Sequence, residues 1–210
     1  VSILDDTQMA RLSTLQVRGL TTTQLTGLTD EDVAQFNQTQ IGALDGPQIG
    51  VLLPHLSTTM LAGLGTTQLS RMTATAIGSL TTTQVASLGA TQLKALTTDQ
   101  LSKLPSTLAA ALSATQIAAL TPAQLAAIST DNLPLLDNEG LKQLNATQVR
   151  GLSTAQIRSL TPTLFAMLNA TQVGALTAAQ VGALTPELVG DLTGDQWSAF
   201  NTTQVQGLNA

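Results

Sequence analysis

The sequence predicts an all-α solenoid of short capped mini-helices, and three observations carry that expectation. One octapeptide motif recurs along nearly all of the 210 residues. Its polar positions follow the grammar of helix capping. Its apolar positions recur at a spacing that neither a continuous helix nor a single strand can bury on one side.

Laid out in eights from Asp5, the chain reads DDTQMARL, STLQVRGL, TTTQLTGL and onward for six octads, until Leu53-Pro54-His55-Leu56 interrupts the frame. The frame resumes at Ser57 and runs through nineteen more octads to Leu208, twenty-five in all. The eighth position is large and apolar in every octad. The fifth is apolar in every one, with Ala109 the single small case. Gln holds the fourth position in seventeen, and Ser, Thr, Asp or Asn opens every octad except those at Gly65, Gly89 and Pro105. A fixed period of this kind marks a repeat architecture and takes precedence over residue-by-residue assignment.

A continuous α-helix does not fit, because eight residues turn through about 800° and the apolar stripe would drift about 80° per repeat. A strand does not fit either, since positions five and eight differ by an odd number and point to opposite faces. A short helix that restarts in each octad fits both facts. Ser/Thr-x-x-Gln is a capping box: the first side chain accepts from the N3 backbone N–H, and the N3 Gln reaches back to the first residue. Pro122, Pro162 and Pro186 all fall at the second position, which is N1, where the missing N–H costs nothing. Such helices are too short to persist alone. A cap worth about 1 kcal/mol does not offset the ordering of eight residues. Two buried apolar side chains per octad, at about 1.5–3 kcal/mol each, supply the rest through stacking, as in a solenoid.

A longer period lies above the first. Octads lacking Gln at Ser57, Pro105 and Ser129 share one 24-residue register, and those at Asp137, Thr161 and Thr185 share another. The blocks beginning at Asn145 and Asn169 match at thirteen of twenty-four positions. Three octads per superhelical coil follow, in one solenoid over residues 1–210 with irregularities at 53–56 and 129–140. Pro134, inside an expected helix, marks the second irregularity.

Composition narrows the functions open to such a coil. Charged residues are only 10% of the chain and its formal net charge is −5. The basic stripe that nucleic acid requires is therefore missing, as is the basic patch that anionic lipid requires. No apolar run approaches the roughly 20 residues of a membrane span. With no Cys, neither a disulfide frame nor a thiolate metal site is available. No leader segment is visible at Val1, and a start without Met suggests a fragment or a processed chain.

No catalytic, cofactor-binding or metal-ligating residue set emerges. His55 is the only histidine, with no second His or Cys to complete a transition-metal site, and reads as a loop residue. Asp30, Glu31 and Asp32, and Asp137 with Glu139, form the densest acidic groups. They match no calcium loop and read as carboxylates favoured near helix N-termini. Asn37, Asn145, Asn169 and Asn201 each begin an N-x-T sequon; each is also a first position, where Asn is a good cap. Trp197 stands at a fifth position and reads as core filling.

Leu120-Thr121-Pro122-Ala123-Gln124-Leu125-Ala126-Ala127-Ile128 resembles the opening of a TAL-effector repeat. The period of eight and the charge balance assign that likeness to shared capping grammar, not DNA reading. A wider resemblance covers the whole chain. Its runs of Leu-Thr-x-x-Gln-(Val/Ile/Leu)-x-x-Leu resemble the Thr/Gln/Leu-rich repeat tracts of large bacterial surface or secreted adhesin-like (RTX-like) proteins. What that resemblance implies is an extracellular or cell-surface role as a stalk or matrix; the expectation of no enzymatic activity comes from the residues, since no set of acid, base and nucleophile recurs or converges. Both ends of the chain run into ordinary octads without distinctive caps. The expected partners are therefore neighbouring repeats of a longer array, or further copies stacking end to end into filaments. A protein or glycan along one face is the alternative.

Overall fold

The computed structural model describes residues 6–208, and among them the chain is helical throughout. It forms twenty-four α-helices and two 3-10 helices, with no strand. The α-helices run from four residues at Ser106–Ala109 to seven at Gly46–Leu52. The chain divides into two compact units, Val1–Leu104 and Pro105–Ala210, each built from the same octad.

The octad 153–160 shows how local chemistry starts and stops each helix. Ser153 is extended, at φ −73° and ψ 158°. Its hydroxyl accepts the Gln156 N–H at 3.1 Å, and the Gln156 side-chain carbonyl accepts the Ser153 N–H at 2.8 Å. The Ile157 N–H donates to the Ser153 carbonyl, closing the first full turn, and the Leu160 N–H donates to the Ile157 carbonyl in a tighter final turn. Leu160 is itself extended, at φ −66° and ψ 137°, so one extended residue at position eight and the next at position one re-aim the chain. No described residue has positive φ. These helices therefore end without the left-handed glycine cap that commonly closes longer ones.

Proline and glycine at cap positions obey the same logic. Pro122, Pro162 and Pro186 each occupy the first helical residue. Gly65 and Gly89 have no side chain to offer, so only half the box survives there. Gln68 and Gln92 accept the Gly65 and Gly89 N–H groups at 2.9 and 3.0 Å.

Helices three octads apart stack on one another, so three helices make one coil. In the first unit Thr14–Arg18 packs on Gln38–Ala43, and Thr66–Arg71 packs on Ala90–Ala95. In the second, Ala146–Gly151 packs on Ala170–Gly174, and Ala178–Gly182 packs on Thr202–Gly207. Positions five and eight fill the interior: Val149, Leu152, Ile157 and Leu160 are all buried. Where two helices approach closely, a fourth-position glycine makes room. A Cβ on Gly140 would lie 2.7 Å from the Ile117 Cδ1 and 3.1 Å from the Ala114 Cα.

The two 3-10 helices, Leu53–His55 and Leu133–Leu135, share the sequence Leu-Pro-x-Leu. In each, proline removes the N–H that would donate one turn back, and the shorter i to i+3 pattern replaces the α-helix. Residues 53–56 are not extra residues between repeats, which corrects the expectation drawn from the frame. They are the apolar half of an octad. Leu53 and Leu56 are buried as positions five and eight, and the helix Gly46–Leu52 runs directly into Leu53–His55. Because that helix does not stop, no new cap is needed. The half-octad still occupies a full helix's place in the coil. This is why Thr66–Arg71, one half-octad early, packs on Gly46–Leu52.

Candidate functional site

The recurring site of this molecule is the joint between coils, and its working residue is the fourth-position glutamine. The capping box uses only the Gln carbonyl oxygen. Its amide nitrogen points the other way, to the preceding coil. Gln156 Nε2 donates to the Leu125 and Ile128 carbonyls at 2.8 and 2.7 Å. Gln172 Nε2 reaches the Leu141, Lys142 and Leu144 carbonyls at 3.1, 3.0 and 2.8 Å. In the first unit Gln92 reaches Leu61, Ala62 and Leu64, and Gln100 reaches Leu69 and Met72.

The acceptors are the carbonyls at the end of a helix four places earlier, 28 to 31 residues back. The position-eight carbonyls among them are ones a helix leaves without an internal partner, while the position-five carbonyl is shared, as Leu125 also accepts the Ile128 N–H. One side chain thus completes the N-terminus of its own helix and the C-terminus of another. The half-octad obeys the same rule. Gln84 donates to Leu53 and Leu56 at separations of 31 and 28, whereas Gln68, whose path crosses the half-octad, meets Ile41 and Leu44 at 27 and 24.

Burial follows from this double duty. Gln40, Gln100, Gln156, Gln172 and Gln180 are each 1–2% exposed, and among the described residues no buried side-chain polar atom lacks a partner. Sequence reasoning found the capping half of the glutamine and missed the joint half. One signal pointed to it. Glu serves a capping box as well as Gln and suits the helix N-terminus better, yet no octad carries Glu at position four. Only an amide supplies the second bond. In three of the octads without Gln the position turns apolar: Leu108, Leu164 and Leu188 are buried in its place. Ala76 lies opposite Gly50 of the helix that runs on, where a Cβ on Gly50 would lie 3.3 Å from the Ala76 Cβ.

The residues singled out for chemistry are dispersed. His55 sits in the first 3-10 helix, not in a loop, and its Nδ1 pairs with the Asp30 carboxylate on the helix one coil earlier. Asp30, Glu31 and Asp32 occupy the first turn of Asp30–Ala34, and Asp32 completes a capping box with Thr29. Asp137 caps Asn138–Lys142, while Glu139 pairs with Lys142 at 2.7 Å. Among the described residues no three His, Cys, Asp or Glu side chains converge as metal ligands. The Glu187 carboxyl is held below the usual glutamate range by its own backbone N–H and then by the Thr185 hydroxyl.

The sequon asparagines all serve as N-caps. The side-chain oxygens of Asn37, Asn145, Asn169 and Asn201 accept from the N–H groups of Gln40, Gln148, Gln172 and Gln204 at 2.9–3.0 Å. Trp197 is only partly buried, at 38% exposed, with its ring edge-on to Phe200 at 5.8 Å. Its expected place in the interior is half realised. No helix is long and apolar enough to cross a membrane among the described residues. No protein-family model matches this chain, and no curated protein is significantly similar to it.

Proposed function

We propose that this chain is a non-enzymatic structural repeat region, one that extends or builds a bacterial surface or extracellular fibre or adhesin. The observation that carries the reading is the joint itself. Its polar groups are spent on holding coil to coil, with Gln156 and Gln172 each engaged at both ends of the side chain. A joint of this kind can be repeated without limit, because each coil presents to the next what it received from the last.

A second reading, a binding module for a protein or glycan, draws on one cleft of about 490 Å³ in the first unit. Arg18 and Arg71 line it together with Thr14, Asp45 and Thr67. Two experiments separate the readings. Inserting the 24-residue block 145–168 once more after Leu208 should raise the melting temperature and leave helicity per residue unchanged. The chain, immobilised and challenged with glycan and matrix-protein panels, should show no saturable binding. Saturable binding that Arg18→Ala or Arg71→Ala removes would replace the structural reading with the second one.

A further inference from the structure

The four asparagines that open octads carry a motif that the joint does not use. Asn37, Asn145, Asn169 and Asn201 each have Thr at the third position, whereas only ten of the other twenty-one octads do. None has Pro between the two, although Pro122, Pro162 and Pro186 stand at that place elsewhere. Each asparagine is extended, with φ between −86° and −76° and ψ of 167–170°, in the elbow between one helix and the next.

The two polar atoms of these side chains are used differently. Oδ1 caps the helix by accepting the N–H of Gln40, Gln148, Gln172 or Gln204. Nδ2 makes no hydrogen bond among the described residues, and all four asparagines are exposed. A hydroxyl cap differs: the Thr121 hydroxyl accepts the Gln124 N–H at 3.2 Å and also donates to the Gln124 side-chain oxygen at 3.1 Å. Thr39, Thr147, Thr171 and Thr203 are exposed as well. Each elbow therefore presents a free amide nitrogen and, two residues on, an exposed threonine.

We propose that Asn37, Asn145, Asn169 and Asn201 are N-glycosylation sites, recognised as Asn-x-Thr sequons. Nδ2 attacks the anomeric carbon of a diphosphate-linked sugar. The carbon–nitrogen bond forms, the bond from that carbon to the diphosphate oxygen breaks, and the diphosphate leaves with the electron pair. Nδ2 gives up one of its two protons. The amide carbonyl survives, so Oδ1 goes on capping and the sugar is added without loss of the cap. Ala146–Gly151 packs on Ala170–Gly174, so the sugars on Asn145 and Asn169 stand on consecutive coils of the second unit. Charged residues are only 10% of the chain, and charge is what ordinarily keeps a protein surface from associating. Glycans supply a hydrated coat in its stead. The inference rests on the extracellular or surface reading above, because a sequon-reading transferase must meet the chain.

The test is mass spectrometry of the protein purified from the cells that make it. Sugar should be found on the four sequon asparagines and not on Asn138, which is exposed but has Gly140 two residues on. A single sugar or an assembled oligosaccharide on Nδ2 supports the proposal equally, the first indicating a nucleotide-linked donor and the second a lipid-linked one. Thr147→Ala and Thr171→Ala keep the asparagine caps, and the octad 153–160, with Ala155 at that place, forms its helix in the same way. Each variant should lose the sugar of its own site alone and melt like the unaltered chain. Asn145→Asp keeps a capping oxygen and should behave likewise. Three results would overturn the proposal: four unmodified asparagines, sugar that stays on Asn145 in Thr147→Ala, or sugar on Asn138. Unmodified asparagines in a chain that protease releases from the surface of intact cells would sink this inference alone. Unmodified asparagines in a chain that protease reaches only after lysis would sink the surface reading with it.

Discussion

The Gln180 side-chain amide donates to the Leu152 carbonyl at 2.6 Å, 28 residues earlier, while the oxygen of the same amide accepts the Thr177 N–H at 2.7 Å. A planar amide has its donor and acceptor on opposite sides of one carbon. It can therefore end one helix and begin another at the same point. Burial makes the arrangement demanding, because a polar group withdrawn from water and left without a partner costs about 1–3 kcal/mol.

Gln156→Glu tests that geometry. The oxygen can still cap Ser153, but a buried carboxylate would face the Leu125 and Ile128 carbonyls. The variant should lose about 3 kcal/mol at neutral pH in urea unfolding. Burial and the facing carbonyls raise the folded-state pKa of the new carboxyl, so the folded state binds the proton more tightly. The deficit should therefore shrink as pH falls through the raised pKa toward about 4.3, the ordinary glutamate value. A deficit independent of pH would mean the amide nitrogen is dispensable.

Core and cap should separate cleanly at adjacent residues. Leu120 is 1% exposed, and Leu120→Asp, which buries an unpaired charge, should abolish cooperative unfolding. Thr121→Ala removes only a hydroxyl that accepts from the Gln124 N–H and should cost about 1 kcal/mol. Equal losses in a thermal melt would contradict a capped helix that faces a shared interior.

Two glycines at helical positions should respond with opposite signs. Gly140→Ala would drive a methyl group into Ile117 and the Ala114 backbone, an overpacking that costs about 1–3 kcal/mol. Gly42 has nothing within 4 Å of an added Cβ. Gly42→Ala should stabilise by about 0.4–1 kcal/mol through a less flexible unfolded chain. Chemical denaturation of the pair checks both.

Deleting residues 53–56 should harm the first unit more than completing them to a full octad with Ser-Thr-Thr-Gln ahead of Leu53. Completion keeps each later helix in its column. Deletion removes one place from the coil, so Ala76 would no longer lie opposite Gly50 nor Gly46 against Arg71. Circular dichroism melts of the two variants should differ, with the deletion lower. A deletion as stable as the unaltered chain would show that the half-octad fills no place in the coil.

Much of this protein was legible from residues three or four apart. Ser153 with Gln156, and Pro122, Pro162 and Pro186 at N1, declared where helices begin, because capping is a bond between residues i and i+3 that sequence displays directly. Positions five and eight declared the interior, and the recurrence of octads at 24-residue intervals declared the coil. The candidate site was half legible. The capping acceptor of Gln156 could be read, and its joint donors could not.

The sequence by itself determined the octad, its caps, its interior positions and the number of helices in a coil. Each of these depends on local hydrogen bonds, on a hydrophobic period or on the 24-residue recurrence of octads. Only the tertiary structure decided where the glutamine amides go, and that Leu53-Pro54-His55-Leu56 is half a repeat holding a whole helix's place. The reason is physical. A donor that reaches 28 residues back obeys the geometry of stacked coils, and that geometry exists only once the helices have packed.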